Sequence, residues 1–273
     1  MGMLSAEPHR SQPGRWTPAA RDRLASAVTA GLMAVLSCPA VAGAASSPAG
    51  CAPVASGRYV VLGQGVRGDQ PVVRLLQETW DRDGSIQGQR INRDGERLLE
   101  ASYRGRWHQR GGCQVGVDRD NAGRQSHTVD LLDRAGRPRL SISTSPGIVL
   151  WKQLWHQPSA SCRSTRLQGL FQGQMSGRLH NDNAWKPATA LLQLQIRGHR
   201  VTGSVISSAA GEVVESAVEG VLDLQDDCRG RLRWSDAQRS ESTFRVIVDG
   251  MGQRLLAVSE EPELVMVGAL ERQ

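Results

Sequence analysis

From about residue 57 onward, apolar and polar residues alternate in short runs separated by Gly, Asp and Asn. Alternation of period two is the pattern of a half-buried strand. In the first half it predicts strands over 58–64, 71–81, 85–91, 98–109, 113–118, 126–133, 137–144 and 148–156. Asp83-Gly84 marks a tight hairpin, because both residues tolerate the positive φ that such turns require. No stretch after residue 45 keeps a 3.6-residue apolar period over three turns, so helices are not expected.

The alternating pattern occurs twice. "LLQETWDRDGSIQG" (75–88) lies beside "LLQLQIRGHRVTG" (191–203), and "YRGRWHQRGGC" (103–113) beside "VEGVLDLQDDC" (218–228). Gly105 precedes Cys113 by eight residues, as Gly220 precedes Cys228. Thr128 follows Cys113 by fifteen, as Thr243 follows Cys228. The turn Asp133–Gly136 answers Asp249–Gly252, and the offset between copies stays at 111–116 residues. Ordered features at a near-constant offset predict two homologous domains, 45–160 and 161–273. Eight or so successive strands in roughly 110 residues predict a small antiparallel β-barrel for each, with a sandwich as the alternative. Closure leaves no exposed sheet edge.

The first residues read as an address. A polar stretch with Arg10, Arg15, Arg21 and Arg23 leads into the uncharged run "LASAVTAGLMAVLSCPAVAGA". A basic region, an apolar region and then small residues is the layout of a signal peptide, here 1–44, with cleavage expected near Gly43 or Ala45. Acylation at Cys38 is the alternative, although Leu36 and Pro39 fit a lipobox poorly. The mature chain then has four cysteines in an oxidising compartment, periplasmic or extracellular. Four allow three pairings. The duplication selects Cys51–Cys113 and Cys162–Cys228, one inside each copy. Each closes a loop of sixty-odd residues, worth ~4 kcal/mol in the chain-entropy model.

"GVLDLQDDCRGRL" and "TFRVIVDGMGQRLL" carry a resemblance. With Gly220, Asp227, Cys228, Gly230 and Asp249, the second copy resembles a family of bacterial secreted single-disulfide domains. The first copy keeps Gly105 and Cys113, has Trp107 at the family's aromatic position, and has Gly112 in place of the Asp. The resemblance implies small barrels in the manner of allene oxide cyclase and lipocalins. It brings no catalytic residues.

Composition changes this picture little. Hydrophobic content of 39% and charged content of 22% fit a folded chain, and the net charge of +6 does not by itself imply a nucleic-acid partner. Lys152 and Lys186 are the only lysines among 33 basic residues. "ASYRGRWHQRGGC" (101–113) has the arginines and aromatics of a single-stranded nucleic-acid arm. Its counterpart "SAVEGVLDLQDDC" keeps the apolar face and loses the positive charge, so it reads as a barrel strand with an aromatic inner face and a basic outer one. G-x-S-x-G, H-E-x-x-H and phosphate-loop motifs are absent, as is C-x-x-C. No cofactor or metal site is expected. His108 is the best-placed histidine for a general base, and "HNDN" (180–183) reads as a surface turn.

One face is unusual. Arg74, Leu76, Glu78 and Trp80 share a side of their strand, where the second copy has Ala190, Leu192, Leu194 and Ile196. Glu78 is thus a carboxylate on an inner face; it must be neutral, paired or close to an opening. Trp80, Tyr103 and Trp107 are expected to line the same cavity. Trp151 and Trp155 also share a face and could plug the barrel or join the copies. The expected function is an exported, non-catalytic protein that binds a small, apolar ligand or a partner surface. The alternatives are an enzyme that shapes an apolar substrate in barrel 1, cyclase- or isomerase-like, and a structural module docked to an envelope protein.

Overall fold

A computed structural model describes residues 50–121, 123–157, 162, 167–209 and 211–273. The expected signal peptide, Cys38 and most of the junction around 158–166 lie outside the described residues. Sixteen strands form two closed antiparallel barrels. Barrel 1 consists of β1 (Gly57–Arg67), β2 (Gln70–Trp80), β3 (Ser85–Asp94), β4 (Arg97–Gly111), β5 (Gln114–Asn121), β6 (Arg124–Leu132), β7 (Pro138–Ser143) and β8 (Val149–Gln157). Barrel 2 consists of β9 (Gly169–Asn181), β10 (Ala184–Arg197), β11 (Arg200–Ala209), β12 (Glu212–Leu224), β13 (Arg229–Asp236), β14 (Glu241–Val248), β15 (Arg254–Ser259) and β16 (Leu264–Arg272). Each strand pairs with the next, and β1–β8 and β9–β16 close the two cylinders. No helix among the described residues is long and apolar enough to cross a membrane.

Both disulfides form as the duplication requires, with Cα separations of 5.3 Å for Cys51–Cys113 and 4.9 Å for Cys162–Cys228. Two internal disulfides are the mark of folding in an oxidising, exported compartment. Cys51 also holds a strap across one end of barrel 1. Ala55 N donates to Gly136 O at 2.9 Å, and Tyr59 OH donates to Ala55 O at 2.8 Å. Behind the strap lies an apolar cluster that includes Tyr59, Val61, Trp80, Ile86, Val115, Val117 and Leu154.

The strands β1 and β2 are buried on both faces. Their outward residues Val60, Leu62, Val73 and Leu75 pack against Ile247, Leu256, Val258, Val265 and Val267 of barrel 2. This seam explains why "VVRLL" reads as a continuous apolar run broken only by Arg74. Polar bonds flank it: Arg93 Nη1 donates to Glu260 O at 2.8 Å, Gln77 Nε2 to Asp227 O at 3.0 Å, and Arg245 pairs with Glu100 at 2.9 Å. Trp155 lies in the seam under the Arg254 guanidinium, 4.9 Å from the ring centroid. Trp151, on the same outer face of β8, is exposed instead, next to exposed Ile142. The two tryptophans thus share a face but not an environment.

The strand register corrects one detail of the repeat. Thr128 lies opposite Val117, but Thr243 lies opposite Arg233 and faces outward; the residue opposite Leu232 is Phe244. Between the equivalent cross-strand pairs Val117–Thr128 and Leu232–Phe244, the hairpin of the second copy is one residue longer. Thr128 therefore corresponds to Phe244.

Candidate functional site

The inner faces of barrel 1 change character along its axis. Toward the strap they are apolar. In the middle they carry ionised groups that are buried and joined. Glu78, with no exposed surface, accepts from Arg119 Nε at 2.6 Å, from Arg119 Nη2 at 3.1 Å and from Trp80 Nε1 at 2.8 Å; Tyr103 OH donates to it as well. Burial alone would raise its pKa. The Arg119 charge and the bonds from Arg119 and Tyr103 outweigh that and lower it to about 2. Glu78 is thus paired and ionised, one of the states its sequence position allowed.

The network continues around the wall. Arg119 Nη1 donates to Thr128 Oγ1 at 3.0 Å, and Thr128 Oγ1 donates to Asp130 Oδ1 at 2.7 Å. Ser141 Oγ donates to the same oxygen at 2.6 Å. Asp130 Oδ2 is buried with no hydrogen-bond partner among the described residues. Next to Ser141 in the β7–β8 register stands Lys152, 5% exposed. No hydrogen bond or ion pair among the described residues reaches its Nζ. Burial, then Arg119, bring its pKa down to about 7, against the opposing pull of Asp130 and Glu78.

Small residues make room for these groups. Gly63 of β1 lies between Arg74 and Lys152, and a Cβ there would sit 2.9 Å from Lys152 Cγ. Gly88 of β3 does the same for Tyr103: a Cβ would sit 2.5 Å from the phenol ring carbon Cζ.

Above this layer, toward the end bearing the β1–β2, β3–β4 and β5–β6 turns, the interior opens into a cavity of about 640 Å³. Arg119, Lys152 and Tyr103 belong to its wall, together with Arg74 and Arg90. Arg67, Arg97 and Arg124 stand at its mouth. Asp94 is the one carboxylate of that wall; it pairs with Arg74 and, at 2.9 Å, with Arg67. Arg90 Nε is buried without a partner among the described residues, and burial followed by Arg74 lowers its pKa.

Corresponding positions in barrel 2 are apolar. Strand register equates Glu78 with Leu194, Tyr103 with Val218, Arg119 with Trp234, Thr128 with Phe244, Asp130 with Val246 and Ser141 with Ala257. Lys152 corresponds to Gly268, and Gly63 to Met175. Most of these residues of barrel 2 belong to one buried apolar cluster. The two barrels share a backbone plan and differ in what fills it.

Of the residues singled out from the sequence, Glu78, Trp80 and Tyr103 meet in one bonded group. Trp107 does not join them. It is half-buried near the strap, where its Nε1 donates to Asp81 O at 3.1 Å. His108 is exposed on the outer wall, 3.8 Å from Asp118, and so is remote from the cavity chemistry. Of residues 180–183, His180 and Asn181 end β9, and Asp182 and Asn183 form the β9–β10 turn at φ of 52° and 59°. Arg119, Asp130, Arg90 and Lys152 were not anticipated. The outward parity of Trp151 and Trp155 was the signal that turned Lys152 inward.

No protein-family profile matches the chain, and no curated protein matches it. Among solved structures it is similar to a protein of unknown function from the DUF3598 family of Nostoc punctiforme PCC 73102. That match has 13% identity, spans 80% of this chain and 96% of that one, and has a TM-score of 0.22. A second similarity is to a porin-like protein from Bacteroides uniformis ATCC 8492, at 9% identity over 83% of this chain and 99% of that one, TM-score 0.22.

Proposed function

We propose that barrel 1 is a receptor for a small anionic ligand and that barrel 2 is its packed support, in a protein exported by its N-terminal segment to the periplasm or beyond. One observation carries this reading. At inner positions where barrel 2 has hydrocarbon, barrel 1 has ionised groups, and they open onto a cavity with seven basic side chains and one carboxylate. Buried ions add little to stability compared with well-packed hydrocarbon of similar volume. Their concentration at a cavity marks a functional site. The wall favours an anion over the apolar ligand expected from sequence. Arginine forks suit carboxylate and phosphate oxygens.

Calorimetric titration of the disulfide-intact protein with inorganic phosphate and with citrate tests the idea, with an uncharged long-chain alcohol as comparison. Anion binding should weaken as salt is added, because part of the attraction is screened at the mouth. Arg90→Gln should weaken it by roughly tenfold or more, the effect of losing one charge-assisted contact of ~1.5–3 kcal/mol. Uptake of the alcohol without the anions would reverse the assignment.

A further inference from the structure

Lys152 is the basic residue of the cavity whose chemistry the anion reading leaves unused. The other basic residues of the wall are all arginines, and arginine supplies nearly all the cationic side chains of this chain. A guanidinium stays charged and cannot act as a nucleophile. An ammonium on a four-carbon stem can lose its proton when buried. Lys152 is buried, lines the cavity and has no bonded partner among the described residues. The groups whose charges act on it are Arg74 and Glu78 from β2, Arg119 from β5 and Asp130 from β6. Gly63 leaves space beside its stem, whereas in barrel 2 the equivalent space is taken by Met175 against Gly268. An amine held among cations and away from water is one of the standard ways of making a lysine reactive toward carbonyl carbon.

We infer that Lys152 forms an imine with a small aldehyde bearing an anionic group, which the arginines of the cavity hold in place. This rests on the anion-binding reading. The neutral amine attacks the carbonyl carbon and a C–N bond forms. One amine proton moves to the former carbonyl oxygen to give the carbinolamine, which then loses that hydroxyl and its remaining N–H proton as one water. C=N replaces C=O, and no electron enters or leaves. A depressed lysine pKa near 7 agrees with this role: the amine form then dominates at pH 8, whereas an ordinary lysine titrates at 10.5.

The test uses pyridoxal 5′-phosphate with borohydride trapping on the full disulfide-bonded protein, followed by peptide mapping. Lys186, which pairs with Asp182 at 2.9 Å on the surface, is the internal comparison. Lys152 should be trapped in more than about tenfold excess over Lys186 at pH 7.5. Pyridoxine 5′-phosphate, which has the anion but no carbonyl, should compete. Lys152→Arg should bind pyridoxine 5′-phosphate calorimetrically and show no trapping in the cavity. If pyridoxine 5′-phosphate binds the native protein but Lys152 is not trapped, the imine is wrong and the anion site stands. If pyridoxine 5′-phosphate does not bind and Lys152 is not trapped, both fall. Trapping at Lys152 that pyridoxine 5′-phosphate cannot reduce overturns the arginines' part in it. Equal labelling of Lys152 and Lys186 overturns the inference.

Discussion

Glu78 and Arg119 are each close to fully buried, and each satisfies the other. Truncating one leaves an ion in a low-dielectric wall without its partner, which costs about 3–5 kcal/mol. Glu78→Leu, the residue at the equivalent place in barrel 2, should therefore lower stability by that order in urea melts. Glu78→Leu combined with Arg119→Met should recover most of the loss, since both ions are then gone and the volume is kept. A neutral Glu78→Leu would show that the pair is not dry. Glu78 was legible in the sequence because leucine stands opposite it in the repeat. Arg119 was not. It lies in "DRD" (118–120), where charged neighbours on both faces erase the alternation, and only the parity of Val115 and Val117 turns it inward.

The pairing of the first and last strands decides whether a barrel is hollow or filled. Barrel 1 places Gly63 against Lys152; barrel 2 places Met175 against Gly268. The large and small partners have exchanged strands. Gly63→Met alone should clash with the Lys152 stem and lower the melting temperature. Gly63→Met with Lys152→Gly installs the barrel 2 arrangement, and should restore stability beyond the sum of the single changes by ~1 kcal/mol while ending anion binding. Additive effects in a double-mutant cycle would mean that the two positions are not in contact. Strand limits were readable along the chain to within a few residues, because period two is a local signal. The β5–β6 correspondence was not: a one-residue difference in hairpin length between the copies is invisible until cross-strand partners are known.

At the scale of the molecule, the seam makes the two barrels share a core. Val73 and Leu75 face barrel 2 while Arg74 and Leu76, on the same strand, face the cavity of barrel 1. Thermal unfolding should appear as one transition rather than two. A charge in the seam, as in Leu75→Glu, should separate it into two, read by calorimetry; two transitions in the native protein would show that the seam is too weak to couple the barrels. The seam was illegible in the sequence because a strand buried on both faces loses its alternation. It reads only as apolar.

The strap pinned by Cys51 has a consequence of its own. It stoppers the barrel at the end opposite the arginine mouth, so the cavity is a cup and not a tube. Whatever enters must leave by the way it came, past Arg67, Arg97 and Arg124. For the anion binding proposed above, those three side chains would therefore govern residence time as well as affinity, because the apolar cluster packed behind the strap bars the other end.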